Sequence, residues 1–330
     1  MKKENLLLTL LCIFPALCPP MSYCADPGAG TAGGVFMKIP TGSPRAQALG
    51  NCGVSLVEGT EAITINPAGV AASQMREAAF AHMSWFQDYG GQYFAYVHPV
   101  GQSVIGMNYA AYSIEGFDAR DSEGIPQYSQ DIRVSHRYAA LSFAKGFFME
   151  RLLLGVSAKG VWEDNYVTKY RSMVFDGGVA LKPFRKLSLG HSFANSFTKH
   201  RQVVTISRTG GAFAFNPFLT TLLEYKKYSD RKGGFGGGVE FNLPEEMLQV
   251  GRVSIRTGYV QFSGGEKYGR NYDDKTLDTF GLNTVSSSGW TFGIGLFTAQ
   301  AMGFGMSLDY TLVPYGALGK ASQFMIKAQF

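Results

Sequence analysis

The stretch ASQFMIKAQF at 321–330 decides the fold. Read back from its end, Phe330, Ala328, Ile326 and Phe324 fall on one face of an extended strand, and Gln329, Lys327, Met325 and Gln323 on the other. Side chains alternate across a strand, so this ribbon has an apolar face and a polar face. An amphipathic strand that stops on an aromatic residue fits a transmembrane barrel, whose last strand closes the sheet between lipid and lumen. A large soluble β-protein is the competing reading.

The preceding stretch repeats the pattern. Met302, Phe304, Met306, Leu308, Tyr310 and Leu312 oppose Gly303, Gly305, Ser307, Asp309 and Thr311. Trp290, Phe292, Ile294 and Leu296 oppose Thr291, Gly293 and Gly295, and Leu152, Leu154 and Val156 oppose Gly155, Ser157 and Lys159. From residue 76 onward such segments recur at strand length between turn-like breaks, although 92–99 and 218–226 alternate poorly. With the closing strand they number thirteen. A bacterial single-chain barrel has an even number, so 202–208 is expected to be the fourteenth. The polar stretches 116–131 and 264–288 are too long for tight turns and read as extracellular loops.

The make-up of the polar face separates membrane from soluble versions. It consists of Gly, Ser and Thr with isolated charges at Lys159, Asp176, Lys182, Glu240, Arg256, Asp309 and Lys327. A water-exposed sheet face would carry more Lys and Glu and fewer glycines. With 41 glycines in 330 residues, the small polar face suits a lumen partly filled by another segment. Lys159, Asp176, Glu240, Arg256 and Asp309 are the lumen candidates. Buried charges pair, so they either bond to the filling segment or contact a substrate.

That segment precedes the strands. Lys2 and Lys3 lead into an apolar run at 6–17, the length of a signal-peptide core, with cleavage expected after Ala25. Beyond it no run of 18 apolar residues occurs, so entry into a membrane is by strands. Cys12, Cys18 and Cys24 leave with residues 1–25, and Cys52 alone remains. Residues 26–75 are rich in Gly, Ala and Thr, with a short helix expected at 44–49 and a brief strand at 50–57. The turn Asn66-Pro67-Ala68-Gly69 is a candidate hinge or anchor, because proline blocks continuation and Asn-Pro favours a turn. Residues 76–330 form the barrel.

Catalytic chemistry finds no footing in these residues. The five histidines show no metal spacing, and His191 and Ser192 would point to opposite faces of one strand. The GGFGGG stretch at 233–238 lacks the Lys-Ser/Thr of a phosphate loop. No enzyme, cofactor or metal is expected. The net charge of +5 is spread without a basic block, so nucleic acid is not expected either.

Several phrases resemble one family. GSPRAQALGNCG at 42–53 is similar to a Gly- and Ala-rich segment near the mature start of PorV/PorQ-type proteins, a branch of the FadL-like outer-membrane barrels. Asn66-Pro67-Ala68-Gly69, FAHMSWFQD at 80–88, DYTLVPYGALG at 309–319 and the terminal strand resemble theirs in the same order. Gln47-Ala48-Leu49 and Ala317 depart from the family's pattern. The resemblance implies an all-β, fourteen-stranded antiparallel transmembrane barrel with an N-terminal hatch in its lumen. It also implies residence in the bacterial outer membrane, with its lipid as surroundings. Phe324, Ile326 and Phe330 would then be the signal read by the barrel assembly machinery. FadL-like relatives pass small hydrophobic molecules, for which Phe36, Met37 and Ile39 are the candidate apolar pocket. PorV-like relatives handle cargo in type IX secretion, and a barrel with a permanent plug is the third reading.

Overall fold

The computed structural model describes residues 33–39, 41–85, 89–117, 120, 123–125, 132–197, 203–230, 233–243, 251–260, 289–298, 304–314 and 320–330. The expected leader 1–25, residues 26–32, the stretches 264–288 and 315–319 and most of 116–131 lie outside them.

Fourteen antiparallel strands form one closed barrel. They are β1 (Glu77–Ser84), β2 (Gly90–Val100), β3 (Ser103–Ile114), β4 (Val134–Phe147), β5 (Leu152–Asp164), β6 (Lys169–Phe184) and β7 (Leu187–Ser196), then β8 (Ile206–Ala214), β9 (Leu219–Tyr228), β10 (Gly234–Leu243), β11 (Arg252–Val260), β12 (Gly289–Thr298), β13 (Gly305–Pro314) and β14 (Lys320–Gln329). Each pairs with its sequence neighbours, and β1 pairs with β14 from Glu77↔Gln329 to Ser84↔Ser322, so no edge remains free. Beyond that register, Phe330 N–H donates to Arg76 O at 2.9 Å and Arg76 N–H to Phe330 O at 3.1 Å. Deleting Phe330 removes this last pair of seam bonds, and the expected outcome is a clear drop in the heat-modifiable, barrel-folded fraction.

The alternation is realised as expected. Leu141, Val156, Met173, Leu223, Ile255, Phe292, Leu308 and Ile326 project outward, Leu141 with 65% of its surface exposed. Exposed apolar side chains around the whole circumference are untenable in water and are what a bilayer requires. Connections at the end carrying Phe330 are short, as at 101–102, 148–151 and 185–186, whereas at the other end 19 residues, 115–133, separate β3 from β4. Short turns mark the periplasmic side.

Two local expectations fail for identifiable reasons. The fourteenth strand is Ile206–Ala214 and not 202–208. Val203 bridges to Gly33 and Val204 N–H donates to Gly33 O at 2.9 Å, so these residues serve the N-terminal segment and pairing with β7 starts later. The strand expected at 50–57 is a chain of turns. Gly50 (φ 73°) and Asn51 (φ 56°) are left-handed, which breaks an extended run. The poor alternation of 92–99 also has a cause: the inward residues Tyr93, Ala95 and Val97 of β2 are apolar because they meet an apolar filling.

Candidate functional site

The lumen is filled by the chain's own N-terminal segment. Helix α1 (Pro44–Ala48) starts on Ser43, whose hydroxyl accepts from Ala46 N–H at 3.1 Å, with Pro44 in the first turn. Wall threonines hold it: Thr311 donates to Pro44 O at 2.9 Å and Thr291 to Ala48 O at 2.7 Å. A 3-10 helix, Pro67–Ala72, is capped by Asn66, whose side-chain oxygen accepts from Ala68 N–H at 3.2 Å. The Asn66 amide also donates to Val54 O at 2.7 Å and to Val179 O of β6 at 3.2 Å. Asn66, Pro67, Ala68 and Gly69 therefore sit as an anchored turn against β4, β5 and β6.

Glycines in the wall make this possible. A Cβ on Gly155 would overlap the Pro67–Ala68 backbone, and one on Gly258 the Leu49–Gly50 backbone. The small inward face is the imprint of the segment.

Charges fasten it on the side of β8–β14. Arg45 of α1 donates to both carboxylate oxygens of Glu240, at 2.7 and 2.6 Å. Arg256 donates to Glu240 at 2.8 Å and to Asp309, so the three candidates form one chain with Arg45 at its end. Lys327 donates to Glu61 at 3.2 Å, and the Ser43 hydroxyl donates to Glu61 at 2.5 Å. Burial opposes the Glu61 charge, but Lys327 and Arg45, with the Ser43 hydroxyl, hold its pKa below the usual carboxylate range. This contribution is present above the ordinary carboxylate pKa and is lost as pH falls through the lowered value. A polar cavity of about 450 Å³ opens here towards the periplasmic end, beside Arg45, Glu61, Glu240 and Asp309.

Sequence reasoning missed a second attachment. Glu224 accepts from Gly53 N–H (2.7 Å), Val54 N–H (2.9 Å) and Arg208 (2.9 Å), while Lys226 donates to Gly50 O (2.9 Å) and Asn51 O (2.7 Å). The available signal was Glu224 and Lys226 two apart, hence on one face of β9. Cys52 is buried beside them, its thiol pushed up to about 12 by burial. Lys159 and Asp176 pair with each other at 2.5 Å, and Asp176 accepts from Asn195 N–H at 2.9 Å. Both of these contacts lie within the wall, whereas Glu240 also binds Arg45 of the lumen segment.

Towards the extracellular end the lumen turns aromatic. Phe36 is buried with its ring 5.0 Å from His136, 5.2 Å from Tyr112 and 6.2 Å from Tyr138. Tyr89 stacks on Tyr112 at 5.8 Å and bonds to His136 Nδ1 at 3.1 Å. Met37 and Ile39 are partly buried against the same cluster. Phe36 occupies the aromatic seat and Met37 and Ile39 flank it.

These features define a class, a closed transmembrane barrel whose lumen is filled by its own N-terminal segment, residues 33–75 among those described. No protein-family profile matches the chain. No curated protein matches it in sequence. Among solved structures, the fold is shared with the toluene transporter TbuX of Ralstonia pickettii, at 12% identity over 87% of this chain and 97% of that one, with a TM-score of 0.53. The toluene transporter TodX of Pseudomonas putida is similar at 12% identity over 87% and 96%, TM-score 0.54. A FadL homologue of Pseudomonas aeruginosa is similar at 11% identity over 88% and 98%, TM-score 0.54.

Proposed function

We propose that this chain, exported by a leader cleaved after residue 25, is an outer-membrane barrel for uptake of small hydrophobic molecules. Residues 26–75 act as its hatch. The observation that carries the reading is the division of the lumen: an aromatic seat towards the extracellular end, occupied by Phe36, and an ion-paired closure towards the periplasm. An apolar solute entering from outside meets a seat of its own chemistry before it meets charge. The likeness to two toluene transporters supports this substrate class.

Truncating Phe36 to alanine tests it. A buried Phe→Ala change removes about 3–5 kcal/mol of packing and leaves a ring-sized apolar vacancy, the kind of space that takes up benzene-like molecules. Toluene binding to the purified full-length barrel is expected to be saturable, and tighter in Phe36→Ala than in the wild type. Absence of saturable binding in both would contradict the proposal. Handling of secreted cargo, the PorV-like reading, rests on the sequence phrases at the two ends. Specific co-purification of secreted cargo without toluene binding would favour it.

A further inference from the structure

The outward face bears a feature that the lumen does not use. His82, Gln92, Ala111, Arg137, Trp162 and Arg171 oppose one another in register across β1–β6. Two residues nearer the membrane centre on each strand stand Phe80, Phe94, Tyr109, Ala139, Gly160 and Met173. Two residues nearer the extracellular end stand Ser84, Gly90, Ser113, Ser135, Asp164 and Lys169. The row therefore lies where hydrocarbon gives way to headgroups.

Its chemistry differs from the border on the other half of the barrel. There the strands present aromatic pairs, Tyr225 with Phe235 at 4.9 Å and Tyr259 with Trp290 at 5.5 Å. On β4–β6, Arg137 and Arg171 are exposed on either side of Trp162, and neither forms an ion pair among the described residues. The nearby acids pair with other cations, Glu115 with Arg133 at 3.1 Å and Asp164 with Lys169 at 2.9 Å, and Asp164 also lies within the field of Arg137. A guanidinium that only reaches for water needs no recess. Here a cavity of about 590 Å³ opens beside Arg137, walled by His82, Gln92, Ser113, Arg133 and Ser135. Those walls supply hydrogen-bond donors and positive charge.

We propose that this sector of β1–β6 is a docking surface for the phosphorylated headgroup of an outer-leaflet glycolipid. Arg137 and Arg171 stand two strands apart, roughly 10 Å between backbones, so they suit two phosphate groups on one headgroup. Planar guanidinium groups grip phosphate in bidentate fashion, and the polar recess accommodates the sugar. The acyl chains then lie along the apolar belt below. This inference rests on the extracellular placement of these strand ends and not on what crosses the lumen.

Native mass spectrometry of the full-length barrel in detergent, titrated with a bis-phosphorylated disaccharide lipid, tests it. The wild type is expected to retain one lipid, and R137Q/R171Q to bind about ten-fold or more weakly for each arginine removed. R137K/R171K keeps the charge but loses the fork, and is expected to fall between the two. Heat-modifiability confirms that each variant is a folded barrel. Equal binding by wild type and R137Q/R171Q would overturn the proposal. So would equal binding of the dephosphorylated lipid, or displacement of the lipid by inorganic phosphate at equimolar concentration.

Discussion

Replacing Glu240 with alanine is expected to free the N-terminal segment while leaving the barrel closed. Glu240 is 2% exposed and takes two bonds from Arg45 and one from Arg256. Its removal leaves two guanidinium groups facing each other without their shared carboxylate. Breaking a buried pair from one side costs about 3–5 kcal/mol. The strand ladder is untouched, so that cost falls on the contact between α1 and the wall. Cys52 reports it, being the sole cysteine after residue 25 and buried in the lumen. With its thiol pushed up to about 12 by burial, little thiolate exists at neutral pH and labelling of the wild type is expected to be slow. Maleimide labelling of Cys52 is expected to accelerate by orders of magnitude in Glu240→Ala, with heat-modifiability unchanged. Unchanged labelling would mean that the ion-pair chain does not hold the segment.

A valine at Gly258 is expected to act on the same contact by steric means. Its side chain would enter the space of the Leu49 and Gly50 backbone, which cannot swing aside as a flexible side chain can. Gly50 is itself fixed by Thr291 Oγ1 at 2.9 Å and by the Lys226 ammonium at 2.9 Å. Overpacking a filled site costs about 1–3 kcal/mol and sometimes more, while valine suits a strand. The segment should therefore give way before β11 does. Gly90→Val is the control, since nothing lies within 4 Å of a Cβ there. Faster Cys52 labelling in Gly258→Val, with none in Gly90→Val, is the expected pair of results.

The wall was legible in the sequence because a bilayer demands strict alternation, and Ile294, Leu308 and Ile326 all point where the pattern placed them. The presence of a filling was legible too, through the glycines and small polar residues of the inward face. Its attachments were harder to read. Arg45 meets Glu240 across 195 positions of sequence, and Gly53 meets Glu224 across 171, separations that no local pattern encodes. Glu224 and Lys226 were hidden in a stretch that seemed to alternate badly, because Leu222 and Tyr228 also face inward. The aromatic seat had the same cause of concealment. Inward Tyr93, Tyr112 and Tyr138 blur the polar face of β2–β4 because they pack on an apolar part of the segment. The terminal phrases that resemble PorV/PorQ proteins mark the chain's ends, whereas the aromatic cluster is built from Phe36 and the extracellular ends of β3 and β4.

The most direct measurement is single-channel conductance in a planar bilayer, comparing the full mature chain with a variant lacking residues 26–70. A lumen closed by its own N-terminus gives a wild type that is shut apart from brief openings, and a deletion variant that conducts continuously. A deletion variant that conducts no better than the wild type would contradict the plugged lumen.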